Sequence, residues 1–239
     1  MPRPYILSEC AWPGPREVRY DTAILPWGAT EAHNYHLPYG TDTIESEAVA
    51  AMAAGKAWDR GAKVVVLPAI PFGVQTGQLD IPFCINLNPS TQTLVLSDLI
   101  RSLEPHGVIR LVVLNGHGGN DFKQIIRELQ ARTPVFLCQI NWYAAVDPRP
   151  FFDEPGDHAG ELETSVMQAL TPELVRPLEQ AGPGRARRFT IEGLRNGVAW
   201  APRQWTRATD DTGVGNPSAA TPAKGSRFLE AVTDRIADF

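Results

Sequence analysis

An α/β fold, with a central, mainly parallel sheet flanked by helices, is predicted by three features of this 239-residue sequence. Short runs rich in Val, Ile and Leu recur along the chain, turn residues bound them, and longer stretches at helical spacing separate them. That is the pattern of parallel strands covered on both faces and joined by crossover helices. Ala23 to Leu25 is the first run, closed by Pro26; Lys63 to Leu67, Arg110 to Leu114 and Val135 to Ile140 follow, and all four read as core strands. Helices are predicted from about Thr43 to Ala57, Gln92 to Leu103, Asp121 to Ala131, Glu161 to Leu170 and Lys224 to Ala237. No internal repeat or low-complexity segment divides the chain, so residues 1–239 read as a single domain.

Composition bounds the function. With 43% hydrophobic and 21% charged residues, the chain can bury an ordinary globular core, which excludes disordered and fibrous classes. Lys and Arg total 22 against 27 Asp and Glu, and a net charge of -5 gives no reason to expect nucleic acid or an anionic membrane as partner. Three cysteines without Cys-x-x-Cys spacing suggest neither a disulfide framework nor a thiolate zinc site, and point to a reducing, cytoplasmic setting. No apolar run approaches the roughly 18 residues of a membrane helix, and the N-terminus lacks a signal-peptide core, so a soluble, unprocessed protein is expected. The stretch from Pro183 to Gly225 stands apart, with Arg185, Arg187, Arg188, Trp200 and Trp205. Arg beside exposed aromatics could contact RNA, but the acidic chain around it favours an excursion that packs on its own domain or on another subunit.

Chemistry concentrates around the histidines, four of the five lying in short segments that also carry Glu, Asp or Gly. The first segment holds Glu31, His33, His36 and Asp42 and directly follows a predicted strand, where ligands bind in open parallel sheets. Carboxylate oxygens and neutral imidazoles together suit Zn, Mn or Fe. Asp42, three residues before Glu45 and ahead of an Ala-rich helix, also reads as an N-cap with a capping-box partner, and His36 as a group that orients a ligand. The second segment, Asn115-Gly-His117-Gly-Gly-Asn120, leaves a strand for a helix; its glycines allow close backbone approach, but it matches neither glycine-rich nucleotide fingerprint. His117 reads as a ligand or catalytic group, Asn120 as the helix cap. The third segment, Asp157 to Ser165, places His158, Glu161 and Glu163 at a helix entry. A solvated helix face is expected for Glu161, and at most one of the two glutamates should share a site with His158.

These motifs together resemble the creatininase, or creatinine amidohydrolase-like, family: Gly28-Ala-Thr-Glu31-Ala-His33, His36-Leu-Pro, Thr41-Asp42, Asn115-Gly-His117-Gly-Gly-Asn120 and His158-Ala-Gly-Glu-Leu-Glu163-Thr-Ser, closed by Thr212-Gly-Val-Gly215-Asn-Pro217 and Lys224-Gly225. The resemblance implies a two-metal site at the carboxyl edge of the sheet and hydrolysis of a non-peptide or unusual C–N amide bond. It puts Glu31, Asp42 and His117 on one metal, and His33 and a bridging Asp42 on the other. Creatininase proper supplies a further carboxylate two residues after the second motif's histidine, where this chain has Gly119. Either the second site is weakened or Glu163 replaces that ligand, and Glu163 is the expectation. Members with the Gly-His-Gly-Gly-Asn motif include a formylated-pyrimidine deformylase and a peptidase of cofactor maturation, so creatinine is not assumed as substrate. A homo-oligomer, commonly a hexamer, is also implied.

The resulting expectation is a metal-dependent hydrolase of a small cyclic amide or formamide. Two divalent ions would lower the pKa of a shared water and polarise the carbonyl, and His158 would protonate the departing nitrogen. Trp142, after the last strand, is the candidate stacking wall for a flat substrate, with a core role as its alternative. A metal-assisted isomerase and a metal- or metabolite-binding subunit without turnover are the competing readings.

Overall fold

A computed structural model describes residues 2–239. After a short helix α1 (Pro13–Glu17) the chain runs β1 (Thr22–Trp27), α2 (Thr41–Asp59), β2 (Val64–Val66), α3 (Pro89–Leu103), β3 (Arg110–Asn115), α4 (Lys123–Gln130), β4 (Phe136–Asn141) and α5 (Glu161–Leu170). A loop-rich arm carrying the one-turn helices α6 (Glu192–Arg195) and α7 (Trp205–Ala208) then leads to α8 (Pro222–Asp238). The four strands are all parallel, in the order β2-β1-β3-β4, so the α/β expectation holds. No helix of the described residues is long and apolar enough to cross a membrane.

Alternation along each strand divides the core into two layers. Ile24, Val64, Val66, Val112 and Leu114 face α2, α5 and α8, meeting Val49, Ala53, Val166, Phe228 and Val232. Ala23, Leu25, Trp27, Val65, Leu111 and Val113 face α3 and α4, meeting Leu96, Ile100, Ile125 and Leu129. Both faces are therefore covered, which is why the strands read as continuous apolar runs.

Strand order positions the site. The chain leaves β1 toward β2 on one side, then returns to the other side of β1 to lay down β3. The loops after β1 and β3 consequently diverge above the carboxyl ends of neighbouring strands and leave a crevice between them. Trp27 and Asn115, which end β1 and β3, are register partners, so both loops start at the same height.

Candidate metal centre

Four elements deliver the polar side chains to this crevice. The loop after β1 carries Glu31 and His33, and α2 carries Asp42 in its first turn. Gly28 allows the close approach that this requires, since a Cβ there would meet the Thr43 backbone nitrogen at 2.5 Å. The turn after β3 supplies His117. The entry to α5 supplies His158 and Glu163, joined through Ala159, whose backbone adopts the left-handed conformation at φ 49°.

Each histidine is oriented by its outer nitrogen. His33 Nδ1–H donates to the Glu31 carbonyl at 3.1 Å, which turns Nε2 toward Asp42 Oδ1 at 2.8 Å. His117 Nε2–H donates to the Val74 carbonyl at 3.1 Å, leaving Nδ1 at 2.9 Å from Glu31 Oε1 and 3.0 Å from Asp42 Oδ2. His158 Nε2–H donates to the Ala32 carbonyl at 2.9 Å, and its Nδ1 lies 3.7 Å from Glu31 Oε1. A ring nitrogen held by a backbone carbonyl fixes the tautomer and presents the other nitrogen, the arrangement that metal-ligating histidines use.

The donors fall into overlapping groups. Glu31, Asp42 and His117 offer ligand atoms within 4.8 Å of one another, as do His33, Asp42 and Glu163, so Asp42 belongs to both; Glu31, His33 and His158 form a third such group. Glu163 is anchored by accepting the Ala159 N–H at 2.5 Å. Glu161 turns away: it is fully buried, accepts the Glu154 N–H at 2.8 Å and pairs with Lys224 at 2.5 Å, so the solvated face expected for it is corrected. Of the two glutamates, Glu163 alone joins His33 and Asp42.

Charge is tightly compensated here. Asp42 is held well below the usual carboxylate range by His33 and His117 against the opposing effect of burial, and Glu31 is lowered by His117 and His158. The carboxylates in turn raise His117 and lift His33 to about 10, although burial alone would lower both. Burial and the charges of Glu163 and Asp42 push Glu45 well above its ordinary value. Among the described residues, both carboxyl oxygens of Glu45 are buried without a hydrogen-bond donor, and buried Asp42 Oδ2 has His117 Nδ1 as its neighbour. An acceptor-rich cage with mixed nitrogen and oxygen donors and orphaned carboxylate oxygens fits divalent cations.

Several local readings are corrected. Asp42 is not the N-cap of α2; Gly40 is, and Asp42 lies inside the first turn. The Asp-x-x-Glu pattern therefore marks two buried acids on one helical face and not a capping box. Asn120 does not cap α4, whose N-cap is Phe122; its Oδ1 accepts the Val74 N–H at 3.0 Å and Gln92 Nε2 at 2.8 Å, while Nδ2 donates to Asn115. It thus ties the Val74 loop to the histidine turn. Trp142 is fully buried in the core against Phe228 and does not line the crevice, so it is no stacking wall. The short turn after β4 puts Trp142 in the core and its neighbour Tyr143 in the cavity lining. His36 is buried, hydrogen-bonds Thr164 Oγ1 at 2.8 Å and is lowered to about 4 by burial and by His33, so it links the first loop to α5 as a neutral ring.

A cavity of about 350 Å³ opens over the cluster, lined by Glu31, Asp42, His117, His158 and Glu163 and walled by Tyr143 and Trp205. Trp205 meets the His158 ring edge-on at 4.8 Å, and Arg203 stacks on Trp205 at 4.8 Å. Arg203, Tyr143 and the placement of Trp205 at the cavity were not read from sequence, nor was Gln78, which donates to Glu31 from a buried position. Only the Trp and Arg content of the stretch from Pro183 to Gly225 hinted at the part the arm plays.

The model of the family "Creatininase: Creatinine amidohydrolase" matches residues 8–239. The chain belongs to the creatininase family. A mycofactocin precursor peptide peptidase from Mycobacterium tuberculosis (strain CDC 1551 / Oshkosh) is 31% identical over 223 residues, covering 88% of this chain and 81% of the relative. A solved structure from Bacteroides fragilis, provisionally described as a creatinine amidohydrolase, superposes with a TM-score of 0.94 at 44% identity, over 100% of this chain and 95% of that one. A mutant creatininase in a Zn-Zn form superposes with a TM-score of 0.77 at 26% identity, over 98% and 96% of the two chains. This chain thus has the family's fold, with Gly119 in its histidine turn. A Cβ added at Gly119 would fall on His117 Nε2 and the Val74 carbonyl, the two atoms of the bond that aims His117.

Proposed function

We propose that this creatininase-family protein is a metal-dependent amidohydrolase that cleaves a C–N bond in a small cyclic amide or formamide. The observation that carries the reading is the pair of donor groups sharing Asp42: Glu31, Asp42 and His117, and His33, Asp42 and Glu163. In this reading each group holds one divalent ion, with Glu163 in place of the carboxylate that Gly119 lacks. When bound, such a pair supplies a water of lowered pKa and a Lewis acid for the carbonyl oxygen.

The chain's own residues do the rest. Val74, Glu31 and Ala32 carbonyls keep His117, His33 and His158 in single tautomers, so no reorganisation is needed when substrate enters. His158 lines the cavity, and its Nδ1, left without a proton by the Nε2–H bond to the Ala32 carbonyl, would take the proton of the attacking water and pass it to the departing nitrogen as the C–N bond breaks, typically worth about 10²–10⁴-fold. Water's hydroxyl stays on the acyl carbon, and its proton leaves on the amine. Tyr143 and Trp205 provide apolar walls for a flat acyl or lactam group in a cavity of about 350 Å³. The peptidase name of the mycobacterial relative makes a peptide amide the second reading.

The test is hydrolysis of a panel of lactams, formamides and short peptides by protein depleted of metal and then reloaded with Zn, Mn or Fe. Amine release that depends on reloading and vanishes in His117→Ala supports the reading. Full binding of metal without turnover of any panel member would favour a binding subunit, and rearrangement without amine release an isomerase.

A further inference from the structure

Beside the catalytic cavity lies a larger cleft of about 1330 Å³, lined by Arg185, Arg187, Arg188, Arg195, Arg203 and Arg207, with Glu154 as its acidic lining residue. All six arginines come from residues 183–208, a stretch that carries one acid, Glu192, in a chain whose net charge is -5. Three of them are occupied. Arg187 pairs with Asp210 at 2.5 Å, Arg203 pairs with Asp157 at 2.8 Å, and Arg195 donates to the carbonyls of Phe189 and Thr190. Arg185, Arg188 and Arg207 form no ion pair among the described residues, and all three are exposed. Three exposed guanidinium groups in one concavity, none of them in an ion pair, give it a positive potential that attracts anions.

Arg203 also lines the catalytic cavity, so the two spaces meet at one side chain. It stacks on Trp205, which in turn touches His158. Its partner Asp157 immediately precedes His158 and is exposed. The arm is seated firmly at this junction, because a Cβ on Gly77 would overlap the Arg203 carbonyl. A molecule whose amide sits at the cluster therefore has the arginine-lined cleft adjoining it at Arg203.

We propose that the substrate is an anionic amide, its carboxylate or phosphate tail held by Arg185, Arg188 and Arg207 while its C–N bond lies at the Asp42 cluster. Planar guanidinium forks bind carboxylate and phosphate in a bidentate way, and the cleft offers three that are uncommitted. This rests on the amidohydrolase reading, and deepens it by naming the class of substrate.

The experiment uses the metal-loaded protein and three matched compounds, each with its α-carboxyl amidated: N-formylglycyl-L-glutamate α-amide, N-formylglycyl-O-phospho-L-serine amide and the neutral N-formylglycyl-L-glutamine amide. The expected result is at least a tenfold higher kcat/KM for one or both anionic compounds, expressed mainly in KM. That ratio should shrink at high salt and approach one in the Arg185→Gln/Arg188→Gln double variant. Carboxylate and phosphate tails are distinguished by which of the two anionic compounds leads. Calorimetric binding of the same compounds is measured in parallel. If no compound is hydrolysed but anion-selective binding is present and lost in the double variant, the cleft assignment stands and the hydrolase reading falls. Equal handling of all three compounds overturns the proposal, as does a preference unchanged in the double variant. A double variant that changes only the sedimentation behaviour overturns it in favour of an interface with a second copy.

Discussion

Introducing a glutamate at Gly119 would seem to restore the carboxylate that creatininase proper has at that place, yet the structure argues for the opposite effect. A Cβ at 119 falls on His117 Nε2 and the Val74 carbonyl, so any side chain there breaks the 3.1 Å bond between them. That bond fixes His117 with Nδ1 toward Glu31 and Asp42. Removing the group that orients a metal-binding histidine lowers metal affinity by about 10–100-fold, equivalent to roughly 1.4–2.8 kcal/mol at about 1.4 kcal/mol per factor of ten. Gly119→Ala isolates this steric effect, and Gly119→Glu adds the carboxylate to it. Competition titration against a chromophoric chelator should show both variants weakened by at least tenfold, with Glu no better than Ala. Wild-type or tighter affinity in Gly119→Glu would refute the reasoning, because the turn would then yield and Glu163 would not be needed as the substitute ligand.

Other expectations follow from the same geometry. Glu163→Gln should remove about half of the bound metal, whereas Glu161→Gln should leave metal content intact and lower the melting temperature through loss of the Lys224 pair; metal analysis and thermal melts separate the two. Trp142→Ala should cost about 3–5 kcal/mol of stability as a core cavity, read in a denaturant titration, while Trp205→Ala should raise KM several-fold with little change in that titration. In metal-free protein the folded-state pKa of His33, about 10, lies above its ordinary value, so its contribution to stability is full below about pH 6.5 and is lost as pH rises through about 10. Melting temperatures of chelator-treated protein should therefore fall across that window, and those of His33→Gln protein should fall less.

Strands and helices were legible because both sheet faces are covered and the helices present apolar stripes at 3.6-residue spacing. Glu161–Leu170 forms over the span expected for it, and all four strand runs form with shifts at their ends. The site was legible to the extent that its donors lie at strand ends, which the strand order then brings together. What stayed hidden depends on long-range packing. The Val74 carbonyl and the Gln78 amide come from the loop after β2, which has no histidine and whose one charged residue, Asp80, accepts from Thr206 instead. Trp142 and Tyr143 are adjacent, and which one faces the cavity is decided by the turn after β4 and not by residue type. Asp42 was open to misreading as a cap because a buried acid in a first helical turn and a capping acid leave the same local pattern.

Anomalous diffraction from crystals grown with Zn or Mn measures the central claim directly. Two peaks per chain are expected, one among Glu31, Asp42 and His117 and one among His33, Asp42 and Glu163, both absent in Asp42→Ala. A map without a peak at either place, or an Asp42→Ala map that keeps both, would contradict it.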